Sequence, residues 1–246
     1  MQKGYFPLNS YFTDYKIAHR GLHSETVSEN SLQSFQQAIE GGFAIEIDIH
    51  LLQDGELAVV HDDNLKRVTG FDVEVESLRS DELANYPLLL NGEKIPTLKE
   101  TLALIDGKAP LLIELKFNHG FDHRQADALL EQLAAYPYKE KIALQSFHPA
   151  AVKYLKKKTT EYSVGFLTSY KLPKGRLATY MQKSLRVLKS IKADFISYDI
   201  NYLPNKYVAK KRKQGYQLLC WTINSQEKLA HALTIADNVI FEKIEV

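Results

Sequence analysis

The chain has 246 residues, of which 45% are hydrophobic and 25% charged, with a formal net charge of +1. That length suits two small domains or one large α/β barrel, and the near-neutral charge argues against a general nucleic-acid binder. The one cysteine, Cys220, rules out an internal disulfide and fits a reducing compartment.

Met1 to Tyr15 is polar and aromatic with no apolar signal core, and no segment reads as a membrane span. The expectation is a soluble cytoplasmic protein without stable membrane insertion and of open oligomeric state. The first strand is expected at Lys16–His19. Ser31–Glu40 follows as a helix stopped by Gly41-Gly42, then a strand at Ala44–His50. The next stretch, Leu51-Leu52-Gln53-Asp54-Gly55-Glu56-Leu57-Ala58-Val59-Val60, alternates on both sides of Asp-Gly, which predicts a two-residue type I′ hairpin. In that register Gln53 faces Glu56, His50 faces Val59 and Asp48 faces His61. Lys66 to roughly Ile95 has no periodicity and reads as a small insertion capping one barrel face.

Beyond the insertion, strands and helices alternate. Thr97–Asp106 is a helix after Pro96, Leu111–Lys116 a strand, and Asp122–Tyr136 a helix with Ala126, Leu129, Leu130 and Leu133 on one face. Then come strand Ile142–Phe147, helix Pro149–Lys158, strand Ser163–Thr168, helix Leu177–Ile191 and strand Phe195–Ile200. Helix Lys206–Gln214, strand Leu218–Ile223, helix Gln226–Leu233 and strand Asn238–Glu242 complete the chain. The strands are nearly continuous in Ile, Val, Leu and Phe, as strands buried on both faces should be. Eight such strands with helices between them predict one α/β domain over residues 1–246, a (β/α)8 TIM barrel with an insertion after the second strand. No G-x-G-x-x-G turn follows the first strand, which counts against an open doubly wound sheet.

In such barrels the reactive groups sit at the carboxyl ends of strands. His19 and Arg20 end the first strand, Glu46 and Asp48 share a face of the second, and Glu114 and Lys116 share a face of the third. Three carboxylates at one mouth cannot all ionise cheaply without a cation. Oxygen-only ligation suits one Mg²⁺ or Ca²⁺ better than zinc. His19 and His61 are then free for general acid–base work. Arg20 and Lys116 supply the fixed positive charge that an anionic substrate needs. Trp221, at the end of the seventh strand, reads equally as core or as a wall over substrate. His148 suits helix capping as well as a site role, His50 is expected at the rim, and His23, His119, His123 and His231 on the surface. Cys220 is expected as a buried, inert thiol. The clusters around Lys156-Lys157-Lys158 and Lys210-Lys211-Arg212-Lys213 are expected as solvated helix faces.

His19-Arg20-Gly21, Glu29-Asn30, Glu46-Ile47-Asp48, Asp54-Gly55, His61-Asp62, Leu65 and Arg67-Val68-Thr69, in this order, resemble the glycerophosphodiester phosphodiesterase signature. Ile95-Pro96-Thr97-Leu98, Ile113-Glu114-Leu115-Lys116, Ser146-Phe147 and Trp221-Thr222-Ile223-Asn224 resemble its later blocks. The resemblance implies a TIM barrel that hydrolyses glycerophosphodiesters, small-molecule substrates, to glycerol 3-phosphate and an alcohol. It also implies metal ligation by Glu46, Asp48 and Glu114, catalysis by His19 and His61, and phosphate contact by Arg20 and Lys116. Ser28-Glu29-Asn30-Ser31 stands where the family has Pro-Glu-Asn-Thr. Val239-Ile240-Phe241-Glu242-Lys243 stands where the family ends its last strand in Ile-Thr-Asp, so no expectation carries over to that strand end. Two rivals stand beside this reading: a phospholipase C or sphingomyelinase type of lipid phosphodiesterase, and a non-catalytic binding barrel.

Overall fold

A computed structural model of the chain describes residues 7–170 and 184–246. Its strands are β1 (Ile17–Ala18), β2 (Ala44–Leu51), β3 (Leu57–Val59), β4 (Leu111–Leu115), β5 (Ile142–Ser146), β6 (Ser163–Thr168), β7 (Phe195–Asp199), β8 (Gln217–Ile223) and β9 (Asn238–Phe241). All except β3 pair in parallel, in the order β1-β2-β4-β5-β6-β7-β8-β9, and β9 returns to β1 to close an eight-stranded barrel. The helices are α1 (Tyr11–Asp14), α2 (Leu32–Glu40), α3 (Lys66–Thr69), α4 (Leu98–Ile105), α5 (His123–Ala134), α6 (Pro149–Lys158), α7 (Val187–Ile191), α8 (Lys206–Lys213) and α9 (Gln226–Ile235). The first half of the expected helix Leu177–Ile191 lies outside the described residues. Among the described residues no helix is long and apolar enough to cross a membrane.

The helices start where side chains can satisfy their free amide groups. Ser31 Oγ accepts from Ser34 N at 3.1 Å. Thr97 Oγ1 accepts from Glu100 N while the Glu100 carboxylate accepts from Thr97 N, a reciprocal capping box. Period-two alternation then divides the strand side chains between two layers. Ile45, Ile47, Ile49, Ile113 and Leu144 point outward into the core shared with the helices. Ile17, Ala44, Leu112, Ala143, Phe195 and Leu219 form an inner apolar layer, joined by Leu8 and Phe12 of the N-terminal segment. Burial of a Leu or Phe side chain contributes about 1.5–3 kcal/mol, so this segment helps hold the barrel interior closed. Above that layer the inward positions become polar: Glu46, Asp48, Glu114 and Gln145 are all buried.

The hairpin departs from the predicted register by one residue. The pairs are Ile49 with Val59, His50 with Ala58 and Leu51 with Leu57, around a three-residue loop over 53–55. Leu52 N bonds Glu56 O at 2.9 Å, Gly55 N bonds Leu52 O at 3.1 Å, and Gly55 takes the left-handed φ of 85°. The Asp54 carboxylate accepts from Ser80 N, Ser80 Oγ and Glu56 N, which ties the extra loop residue to the insertion. Val60 rather than His61 therefore lies opposite Asp48, bonding its carbonyl at 3.0 Å. The insertion is built on short helical turns around a small core of Leu65, Val75, Leu78, Leu83, Leu88 and Ile95.

Candidate active site

Closure of the barrel brings the sequence-selected groups to one mouth. Asp48 and Glu114 are register partners across β2 and β4, and Glu46 lies two positions earlier on the same face. One carboxylate oxygen from each of Glu46, Asp48 and Glu114 lies within 4.8 Å of the others, and all three residues are buried. His19, Arg20, Glu46, His61, Glu114, Lys116 and Trp221 line a cavity of about 70 Å³. It adjoins a wider cleft of about 990 Å³ that shares His61, Glu114 and Lys116. His61 arrives from the loop after β3, two residues beyond the paired strand, and not by facing Asp48 in the ladder.

The charges are strongly coupled. Burial, together with Asp48 and Glu114, pushes the Glu46 carboxyl well above its ordinary value. Burial also raises Glu114, against the pull of Lys116. Asp48 is different: burial would raise it, but Lys116 and Arg20 hold it far below the usual carboxylate range. Lys116 Nζ lies 3.2 Å from Asp48 and 2.8 Å from Glu114, and Arg20 Nε 3.4 Å from Asp48. The two cations thus neutralise part of the cluster, while burial first, and the neighbouring carboxylates second, keep Glu46 and Glu114 raised. Asp48 Oδ1 and Glu114 Oε1 are buried, and beyond the Lys116 ammonium they meet no hydrogen-bond donor among the described residues. A divalent cation fits this all-oxygen, charge-rich donor set on both counts.

Both imidazoles are oriented by a carboxylate. His19 Nδ1 donates to Glu242 at 2.7 Å and His61 Nδ1 to Asp62 at 2.6 Å, which leaves Nε2 of each ring as the nitrogen available for proton exchange. Burial lowers the pKa of His19 against the opposing hydrogen bond to Glu242, and lowers that of His61 against the opposing charge of Asp48. Trp221 forms part of the cavity wall, edge-on to Phe147 with ring centroids 5.5 Å apart. Burial pushes the Cys220 thiol up to about 12, so it is inert.

Several site residues were not legible as such. Glu242 follows β9, and Ala18 pairs with Phe241, so barrel closure sets Glu242 beside His19. That adjacency of last and first strands was the available signal. Asn30 Nδ2 donates to Asp48 at 3.0 Å. Glu29 joins Arg20 to Arg67, and Arg67 Nε donates to Asp62 at 2.5 Å, so a chain of charges runs from the barrel mouth to the Asp62 carboxylate that holds His61. Two histidines correct the expectations. His50 is fully buried rather than at the rim, because the segment after His61 folds over it, and the His23 side chain is only 7% exposed because it packs beside Glu242 at 3.7 Å. His148 caps α6, accepting from Ala150 N.

This barrel, with a buried acidic triad and paired imidazoles at its mouth, has the make-up of a phosphodiesterase. The sequence matches the Glycerophosphoryl diester phosphodiesterase family over residues 19–246, and the chain belongs to that family, as an enzyme of the phosphoric diester hydrolase class. A glycerophosphodiester phosphodiesterase of Caldanaerobacter subterraneus subsp. tengcongensis is 28% identical over 221 residues, covering 87% of each chain. An Oleispira antarctica phosphodiesterase, solved in complex with the product sn-glycerol-3-phosphate, superposes with a TM-score of 0.81 at 25% identity, covering 94% of each chain. A Thermotoga maritima glycerophosphodiester phosphodiesterase gives a TM-score of 0.74 at 26% identity over 92% of this chain and 94% of that one.

Proposed function

We propose that the chain hydrolyses glycerophosphodiesters to glycerol 3-phosphate and an alcohol, with a divalent cation held by Glu46, Asp48 and Glu114. The observation that carries this is the buried carboxylate triad set beside two imidazoles, each with Nδ1 fixed by a carboxylate. Mg²⁺ and Ca²⁺ both suit the oxygen-only donors; when bound, the cation supplies Lewis-acid stabilisation of charge developing at the phosphoryl oxygens. Arg20 and Lys116, already at the cavity, brace the remaining oxygens of the phosphodiester. One of His19 and His61 takes a proton from the nucleophile at Nε2, and the other delivers a proton to the departing alkoxide. Their pKa values lie below the ordinary imidazole value, so both rings are largely neutral at pH 7, and the ring serving as acid must take up a proton before each turnover. Trp221 and Phe147 offer an apolar surface to the carbon skeleton of the substrate.

His19→Ala and His61→Ala, assayed separately on glycerophosphocholine, are each expected to lower kcat by about 10²–10⁴-fold. Turnover within a few-fold of the parent in either variant contradicts the assignment of that histidine.

A further inference from the structure

His61 reaches the cavity from a loop, and part of what fixes its ring lies in the insertion. Adjacent side chains of an extended chain point to opposite sides, so His61 and Asp62 do not meet by default. Here the chain bends over residues 61–63 and brings Asp62 Oδ1 to 2.6 Å from His61 Nδ1. An imidazole N–H donates to that carboxylate whether the ring is neutral or charged, so the contact leaves Nε2 free in both states. The two side chains are 31% and 26% exposed, so water competes for the carboxylate and the pair alone does not define one geometry. The second carboxylate oxygen is held from elsewhere: Asp62 Oδ2 accepts from Arg67 Nε at 2.5 Å, and both terminal nitrogens of Arg67 bond Glu29 at 2.8 Å. Glu29 is held in turn by Arg20 Nη1 at 2.7 Å. Burial alone would raise the Asp62 carboxyl, but the bonds from Arg67 and His61 hold it below its ordinary value, so it stays an ionised acceptor. Arg67 stands in α3, which buried Leu65 and Thr69 seat in the insertion core: Thr69 N and Thr69 Oγ1 both donate to Leu65 O at 2.9 Å, and Leu65 N donates to Val73 O at 2.9 Å. Val75 N donates to Asp63 O at 2.9 Å, which fastens the loop carrying His61 to the same core.

We propose that Arg67 of the insertion is a positioning residue for the reaction: it clamps the Asp62 carboxylate against His61 and so sets the orientation in which the His61 ring meets the substrate. The inference rests on the proton-transfer role proposed above for His61. Each nitrogen of the Arg67 fork is engaged by Asp62 or Glu29, in charge-assisted contacts that a single lysine ammonium could not reproduce. Arg67 also lines the wide cleft beside His61, so direct contact with the substrate is the rival role. The two differ in what they change. A clamp on His61 acts on proton transfer and lowers kcat, whereas a contact made equally to bound substrate and transition state raises KM and leaves kcat unchanged. The insertion is on this account more than a wall of the cleft, because its folded turns hold a catalytic side chain in place.

The test is a kinetic cycle on glycerophosphocholine, run on the full-length chain with Mg²⁺ or Ca²⁺ in excess. Arg67→Met keeps most of the aliphatic stem and removes every donor. It is expected to lower kcat by about 10–100-fold, the usual scale for loss of a group that orients a functional histidine, with KM close to that of the parent. In the His61→Ala background the same substitution is expected to leave kcat almost unchanged, because the ring it positions is gone. Spectra of ¹⁵N-histidine-labelled protein are expected to show the His61 ring nitrogens shifted in Arg67→Met and those of His19 unmoved. Parental kcat in Arg67→Met, a raised KM at unchanged kcat, or a kcat loss that persists in full without His61 overturns the proposal. Asp62→Asn breaks the same bridge from its centre and is expected to give the same pattern, which keeps the test valid if Arg67→Met does not fold. A His61→Ala variant with parental turnover defeats both the role of His61 and the clamp, whereas an impaired His61→Ala beside a fully active Arg67→Met defeats the clamp alone.

Discussion

Glu29 is the residue whose removal has the most calculable consequence. Its carboxylate accepts from Arg20 Nη1 at 2.7 Å and takes Arg67 in a two-pronged contact, both bonds at 2.8 Å. The Glu29 and Arg20 side chains are each 15% exposed, whereas Arg67 is 49% exposed. Burial alone would raise the Glu29 carboxyl, but Arg67 and Arg20 hold it at about 2 instead of the ordinary 4.5. At 1.36 kcal/mol per pH unit the difference corresponds to about 3 kcal/mol of folding stability near neutral pH. Solvent screening at Arg67 brings the expected cost of Glu29→Gln to about 2–3 kcal/mol. The sign follows from a depressed acid: the contribution is complete above 4.5 and fades as pH falls toward 2, to about 1 kcal/mol at pH 3. Urea unfolding of parent and variant at pH 7 and pH 3 reads both quantities. A difference below 1 kcal/mol at pH 7, or one that stays the same at pH 3, refutes this electrostatic account of the loop between β1 and α2.

Glu242→Gln is expected to act through His19. Burial lowers the pKa of His19 and the Glu242 hydrogen bond opposes it, so loss of the carboxylate lowers His19 further. The acid limb of the pH–kcat profile then moves to lower pH if His19 is the base, and the alkaline limb does so if it is the acid; a profile with neither limb moved contradicts the contact. Gly165→Ala tests the barrel packing, because a Cβ there would stand 2.2 Å from Phe195 Cε2. Overpacking of this kind costs about 1–3 kcal/mol, and a melting temperature equal to that of the parent contradicts the close approach of β6 and β7.

The barrel was readable because its strands are buried on both faces and carry near-continuous β-branched and apolar runs, as in Ile142–Ser146 and Ser163–Thr168. The carboxylates stood out because Glu46, Asp48 and Glu114 interrupt such runs, where an unpaired charge is costly. The hairpin register was not readable, since Asp-Gly serves two- and three-residue loops alike and Ser80, which fixes Asp54, lies 26 residues downstream. His50 and His23 differ from expectation for a related reason: their covering comes from segments distant in sequence. Glu242 requires the closed barrel to be drawn before its nearness to His19 appears. The link from Arg20 through Glu29 to Arg67 joins the barrel to an insertion whose turns follow no periodic pattern.

The proposed activity is cation-dependent cleavage of glycerophosphodiesters at the barrel mouth. Its most direct test is release of glycerol 3-phosphate from glycerophosphocholine and glycerophosphoethanolamine by chelator-treated protein, before and after addition of Mg²⁺ or Ca²⁺. Release is expected with at least one of the two ions, and is expected to be lost in chelator and abolished by Glu46→Gln together with Glu114→Gln. Release that is unaffected by chelator, or that survives in the double variant, contradicts it.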